Sequence, residues 1–252
     1  MSSGYIRSQY SNRVTTIEFF HPAQNSLPGD LLRQLAHEIE IAGKDEKTML
    51  ILLRSGGDRT YCAGASFTEL TAIEDFDTGK TFFMGFANVI NAIRRCSKIV
   101  IGRIHGKAVG GGVGLAAACD YAMANKYASV RLSELAVGIG PFVIGPAVER
   151  KIGLSAFSQM ALNATEWQTA AWAKQKGLFT EVFESTEQLD AYIDHFMAEL
   201  ITKSPEALGQ LKKIFWDGTE HWEQLLEERA EMSGKLILSD FAKNAIRAFL
   251  AS

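Results

Sequence analysis

The stretch from Ile104 to Asp120, IHGKAVGGGVGLAAACD, constrains the fold of this chain more than any other. Three consecutive glycines, Gly110, Gly111 and Gly112, separate a short apolar run (residues 99–104) from an alanine-rich run (residues 115–119). That order predicts a strand, a glycine turn and a helix. Glycine destabilises a helix relative to alanine, so three at a helix start call for a geometric reason. One reason is a ligand. The first N–H groups of a helix lack intrahelical partners and carry partial positive charge, and bare backbone can aim them at a developing negative oxygen. The other reason is close packing of helix on strand, and the stretch by itself leaves both open. It does not fit a phosphate loop, because Lys107 precedes the glycines and no Ser or Thr follows them. A dinucleotide fingerprint also fails, because Leu115 stands where the third glycine belongs.

A second small-residue turn lies upstream. Residues 48–54 (TMLILLR) form an apolar run of strand length, expected to be buried on both faces. The cluster Ser55-Gly56-Gly57-Asp58 then leads into Tyr61-Cys62-Ala63-Gly64-Ala65-Ser66-Phe67. The small side chains at Ala63, Gly64 and Ala65 leave backbone N–H groups open, or simply permit a tight loop. Two N–H donors from two such turns can clamp one carbonyl oxygen and stabilise an enolate next to a thioester. A proton carrier is then needed, and Glu134, at the end of an expected strand over residues 128–133, is the candidate. Its neighbours Leu135, Ala136, Val137 and Ile139 are apolar. On local sequence alone the simplest reading of Glu134 is an exposed loop acid. Ser66 has no nucleophile elbow around it. Of the five histidines, His105 reads as a packed strand residue, and no metal-ligand spacing occurs.

The chain of 252 residues is long enough for one large domain, or one with a small appendage. With 47% hydrophobic and 22% charged residues it has the composition of a folded soluble protein. A net charge of −3 and the lack of a long basic run argue against nucleic acid as a partner. The basic pairs Arg94-Arg95 and Lys212-Lys213 read as solvated helix faces. Three cysteines, Cys62, Cys96 and Cys119, fit neither a disulfide framework nor a zinc site, and are expected to be reduced core residues of a cytoplasmic protein. The N-terminus lacks a signal-peptide core, and no apolar run is long enough to span a membrane. A strand hairpin is expected over residues 5–20, and helices over 31–42 and 78–95. Further helices are expected over 147–152, 155–162, 166–176, 187–203, 205–216, 222–238 and 240–250. A composition shift near residue 185 divides the expected core (residues 1–185) from an all-helical C-terminal region (residues 186–252). Apolar Leu225, Leu226, Met232, Leu236, Ile237 and Phe241 exceed what that region can bury on itself, which points to subunit contacts.

The Asn25-Ser26 turn, Tyr61-Cys62-Ala63-Gly64-Ala65, the run Ile104 to Gly112, and Cys119-Asp120 followed by Ser133-Glu134 together resemble the crotonase superfamily, the enoyl-CoA hydratases and isomerases. The resemblance covers nearly the whole chain. It implies an α/β fold, a spiral of ββα units with a helical C-terminal trimerisation region, assembled as a homotrimer or as a hexamer of two trimers. It implies an acyl-CoA substrate, with no metal and no cofactor beyond the coenzyme A that the substrate carries. The oxyanion donors would be the N–H groups of Ala65 and Gly111. Ala63, Gly64, Ser66, Phe67 and Gly110 would line the thioester and coenzyme A path, and Glu134 would carry the proton. Phe82, Phe86 and Phe142 would shape the acyl pocket or serve as core. Two departures stand out. The first of two glutamates in the family's hydratases falls on Gly114, and the aspartate that often follows the first turn's alanine is Ser66. Both hydration of a 2-enoyl-CoA and isomerisation of a 3-enoyl-CoA stay open on this pattern. So do an enolate-forming decarboxylase or carbon–carbon lyase, and a non-catalytic acyl-CoA-binding protein.

Overall fold

The computed structural model describes residues 4–250. Strands β1 (Tyr5–Ser11) and β2 (Val14–Phe20) form the expected antiparallel hairpin, turned by Asn12 and Arg13 at positive φ. From β2 onward the chain repeats one move: a strand in a large sheet, a short strand in a smaller sheet, then helix. The first turn is β2, β3 (Ser26–Leu27) and α1 (Gly29–Lys44). The second is β4 (Leu50–Ser55), β5 (Thr60–Cys62), β6 (Gly64–Ala65), α2 (Phe67–Thr71) and α3 (Phe76–Arg95). The third is β7 (Ile99–Ile104), β8 (Lys107–Val109) and α4 (Gly111–Ala118). The fourth is β9 (Tyr121–Asn125), β10 (Ser129–Arg131), a 3₁₀ turn (Glu134–Val137) and α5 (Gly145–Leu162). Then follow β11 (Gln168–Thr169), α6 (Ala170–Lys176) and β12 (Glu181–Phe183).

The large sheet has the order β1-β2-β4-β7-β9-β12, parallel from β2 onward. The smaller sheets are β11-β10-β8-β5 and the pair β3-β6. Central strand β4 is buried at Leu50, Ile51, Leu52 and Leu53, as a doubly covered parallel strand should be. The helix breaks where expected: α5 carries non-helical backbone at Gly153 (φ 75°), which separates the two segments read from the sequence. Residues 166–169 differ from expectation. Instead of opening α6 they include β11, which pairs with β10, and the Thr169 hydroxyl caps α6 by accepting from Trp172 N–H.

The C-terminal helices are α7 (Thr186–Leu200), α8 (Pro205–Phe215), α9 (Trp222–Leu236) and α10 (Asp240–Leu250). Helix α9 lies along α3, and its Trp222, Leu226 and Ala230 belong to the same apolar core as Ile17 and Val113. Met232, Leu236 and Phe241 stay exposed. Lys212 corrects the expectation of a solvated face. It is buried, and its ammonium donates to Asp120 Oδ1 (2.9 Å) and Oδ2 (2.7 Å). Asp120 also accepts from Trp216 Nε1 (2.7 Å) and Val100 N–H (2.7 Å). A single helical position next to an exposed lysine gives no sign of this, because the partner lies 92 residues away. The three cysteines are free and buried, and burial pushes the Cys62 and Cys119 thiols up to about 12. Among the described residues, no helix is long and apolar enough to cross a membrane, and no group of three His, Cys, Asp or Glu side chains could hold a metal.

Candidate active site

The two glycine turns meet. Gly64 adopts φ +91°, in the left-handed region that favours glycine. A Cβ there would lie 3.0 Å from Val109 O and 3.6 Å from Gly111 N, so the bare residue lets the β6 turn abut the start of α4. Ser26 fixes the other side by donating its hydroxyl to Ala65 O at 2.8 Å. Asn25, buried, holds the preceding turn. Its Oδ1 accepts from His21 N–H and its Nδ2 donates to Gly56 O and Thr60 O, each at 2.8 Å.

Glu134 arrives from a third element. Strand β10 runs parallel to β8 with Arg131 opposite Val109, and Gly110 N–H donates to Arg131 O at 2.9 Å. That bond ties the end of β10 to the glycine turn, and the 3₁₀ turn then brings the Glu134 carboxyl over Gly110. A Cβ on Gly110 (φ 51°) would sit 2.9 Å from Glu134 Oε1, so glycine leaves the space that the carboxyl fills. Glu134 Oε2 is shut off from solvent and has no hydrogen-bond partner. Burial raises its pKa from 4.5 to about 7, opposed by a bond from its own backbone N–H. The exposed loop acid of the local sequence is thus a shielded one. Its neighbours Leu135 and Ala136 take the solvent positions instead.

These groups open on a cavity of about 450 Å³. Ala63, Gly64, Ala65, Phe67, Gly110, Gly111 and Glu134 all line it, and so do Phe82, Phe83, Phe86 and Phe142. Ser66 stands apart from these candidates. It is absent from the wall because its hydroxyl caps α2, accepting from Glu69 N–H at 3.3 Å. His105 is buried behind the turn, where burial and the nearby Arg103 push it down to about 4 and hold it neutral. The position of the absent second glutamate is closed. A Cβ on Gly114 would fall 2.5 Å from Ile144 Cγ2 and 2.8 Å from Ile144 Cβ. Two wall residues, Ile144 and Arg131, are not apparent as site residues from the sequence. Arg131 sits in the alternating run Ser129-Val130-Arg131, which marks a side chain across the strand from the core but not what it faces.

The chain as a whole is similar to known proteins. A family model described as enoyl-CoA hydratase/isomerase matches residues 9–251. The chain is 30% identical over 241 residues to 2,3-dehydroadipyl-CoA hydratase of Escherichia coli, covering 94% of this chain and 92% of that one. It is 28% identical to the peroxisomal Delta(3,5)-Delta(2,4)-dienoyl-CoA isomerase of Arabidopsis thaliana, covering 96% and 92% of the two chains. Its fold is similar to the crystal structure of an enoyl-CoA hydratase from Bacillus halodurans, with a TM-score of 0.89 at 21% identity over 97% of this chain and 99% of that one. Two abutting glycine turns on a ββα spiral, matched from end to end by one family model, make this chain a member of the enoyl-CoA hydratase/isomerase family.

Proposed function

We propose that this chain moves a proton on the enolate of an acyl-CoA thioester, with Glu134 as the single proton carrier, and that it shifts a 3-enoyl double bond to the 2 position. The observation that carries this reading is Ile144 packed against Gly114, where a second, water-activating carboxylate would have to stand. In this scheme the thioester oxygen lies between the N–H groups of Ala65 and Gly111. Ser66 N–H donates to Leu27 O, and successive N–H groups of a strand alternate in direction, so Ala65 N–H faces away from β3. Gly111 is the first residue of α4, where an N–H has no intrahelical acceptor. Each such donor is worth about 2.7–4 kcal/mol of transition-state stabilisation.

The Glu134 carboxylate takes a proton from C2 and the electron pair moves onto the thioester oxygen as the enolate forms. The same carboxyl then returns the proton to C4, the pair flows back, and the double bond stands between C2 and C3. No electrons are gained or lost, so coenzyme A enters as part of the substrate and no further cofactor is consumed. A carboxyl near 7 suits a group that is base in one half-reaction and acid in the next. The phenylalanine walls keep water from quenching the enolate. The exposed Met232, Leu236 and Phe241 support assembly as a homotrimer or a hexamer of two trimers.

Hydration of a 2-enoyl-CoA is the second reading, favoured by the similarity to a protein named 2,3-dehydroadipyl-CoA hydratase. Matched 2-enoyl and 3-enoyl thioesters separate the two, with water addition and bond migration followed independently. Migration faster than hydration is expected, and Glu134→Gln should lower it by about 10²–10⁴-fold while thioester binding persists. Hydration alone, or full turnover in the variant, would overturn the assignment.

A further inference from the structure

The cavity has two ends of different character. One end meets a recess that carries Arg59, Lys107 and Trp167, with which it shares Ala63 and Val109. Arg131 belongs to this end, since its guanidinium lies 4.6 Å from the centre of the Trp167 ring. Helix α3 forms the wall on the other side. The Phe86 ring packs against the start of α4, with Cζ 2.4 Å from where a Gly111 Cβ would stand. Phe82 and Phe83, one turn nearer the start of α3, carry the apolar wall onward. The next turn brings Gly79.

Helix α9 closes the path there. A Cβ on Gly79 would lie 3.1 Å from Gly234 Cα, and one on Gly234 2.8 Å from Lys80 N, so the two backbones touch and leave no gap between the helices. The Lys80 ammonium clamps them through Glu227 (2.6 Å) and Glu231 (2.9 Å) on α9. Ser233, next to Gly234, is the only residue of α9 on the cavity wall among the described residues. It is 1% exposed, and its hydroxyl donates to Arg229 O at 3.2 Å. A helix rises 1.5 Å per residue, so the path from Phe86 to Gly79 spans about 10 Å. Leu70 and Ile139 complete this end. It holds no charged side chain among the described residues, because the wall's two charged groups, Arg131 and Glu134, stand by Trp167 and by Gly110.

We propose that Ser233 sets the acyl-chain length this protein accepts: an uncharged alkyl chain lies along the phenylalanine face of α3 and ends against the small Ser233 side chain. This rests on the thioester reading of the cavity given above. With the thioester oxygen at Gly111 and coenzyme A passing Ala63 and Val109 toward the recess, the chain runs into the α3 side. An alkyl chain gains by leaving water there, whereas a terminal carboxylate would be buried without a partner. Contact at Gly79 and Gly234 fixes the spacing of the helices, so a larger side chain at 233 takes its room from the path.

The test is equilibrium binding by calorimetry, which needs no turnover. The probes are unreactive saturated thioesters: butyryl-, hexanoyl-, octanoyl-, decanoyl- and dodecanoyl-CoA, with adipyl-CoA and free coenzyme A alongside. Wild-type affinity should climb by up to about tenfold with each two methylenes and then stop climbing within the series. Adipyl-CoA should bind about tenfold or more weakly than hexanoyl-CoA. Ser233→Leu should bring the stop forward, costing about tenfold or more at the longest chain the wild type accommodates and leaving butyryl-CoA within about twofold. Butyryl-CoA binding is the check that the variant is folded. If it is lost too, Ser233→Thr takes its place, a change that can keep the hydroxyl bond to Arg229 O and adds one methyl, with a smaller loss confined to the same long chains. Wild-type affinity that ignores chain length or keeps rising through dodecanoyl-CoA, or a stop that the folded variant leaves in place, overturns the role of Ser233. Adipyl-CoA bound as tightly as hexanoyl-CoA overturns the uncharged chain. If the wild-type protein binds no thioester at all, the thioester reading itself fails, an outcome distinct from binding without a length limit.

Discussion

Replacing Glu134 by Gln separates two properties that burial couples. The folded protein raises this carboxyl from 4.5 to about 7 by disfavouring its charged form. Unfolding returns it to the ordinary carboxylate range. Between those values the folded state holds a proton that the unfolded state releases, so stability falls as pH rises through the window. The contribution is fully present below about pH 4.5 and lost above about pH 7. At about 1.4 kcal/mol per pH unit the span from 4.5 to about 7 corresponds to about 3.5 kcal/mol, and partial solvent screening of the half-buried residue lowers the expectation to about 2–3 kcal/mol. Gln is neutral throughout and mimics the protonated acid. Glu134→Gln should therefore match wild type near pH 4 and exceed it by about 2–3 kcal/mol at pH 8, a gain of roughly 5–10 °C in Tm. Urea unfolding of both proteins at unit steps from pH 4 to pH 8, without substrate, measures the difference directly. A difference that stays constant with pH, or grows toward acid, refutes the claim that the carboxyl is desolvated. Stability gained and turnover lost at one residue is the pattern of a group held in a strained charge state for chemistry.

Two further perturbations test the packing around the site. Gly114→Ala would ordinarily strengthen a helix by about 1 kcal/mol, yet here the new methyl meets Ile144, so a loss of about 1–3 kcal/mol is expected in denaturant unfolding. Ile144→Ala should relieve part of that loss, and a double-mutant cycle with no coupling would show that Ile144 does not guard this space. Lys212→Met leaves Asp120 buried without its counter-ion and should cost about 3–5 kcal/mol. Asp120→Asn in the Lys212→Met background should recover part of it, and a loss below about 1 kcal/mol in the single variant contradicts a buried pair.

Much of this protein was readable from its residues in order. The alternation over residues 5–20, the apolar run of β4 and the glycines that open α4 encode local structure, because each depends on neighbours within a few positions. So does the Gly153 break in α5. The two small-residue turns could be paired as a site because both sit between a strand and a helix. Tertiary structure alone decided the rest, since the partners are far apart in the chain. Strands of two or three residues, such as β3, β6 and β11, have no periodicity to detect and exist only through their pairing. Lys212 looks like any helix lysine until Asp120 is folded against it. Glu134 becomes a shielded carboxyl, rather than a loop acid, because Gly110 lacks the Cβ that would push it away. Gly114 marks a missing side chain in the sequence, and the fold shows that Ile144 has taken its room. Local preference is set by covalent neighbours, whereas desolvation, charge pairing and steric closure are properties of whatever the whole chain brings into contact.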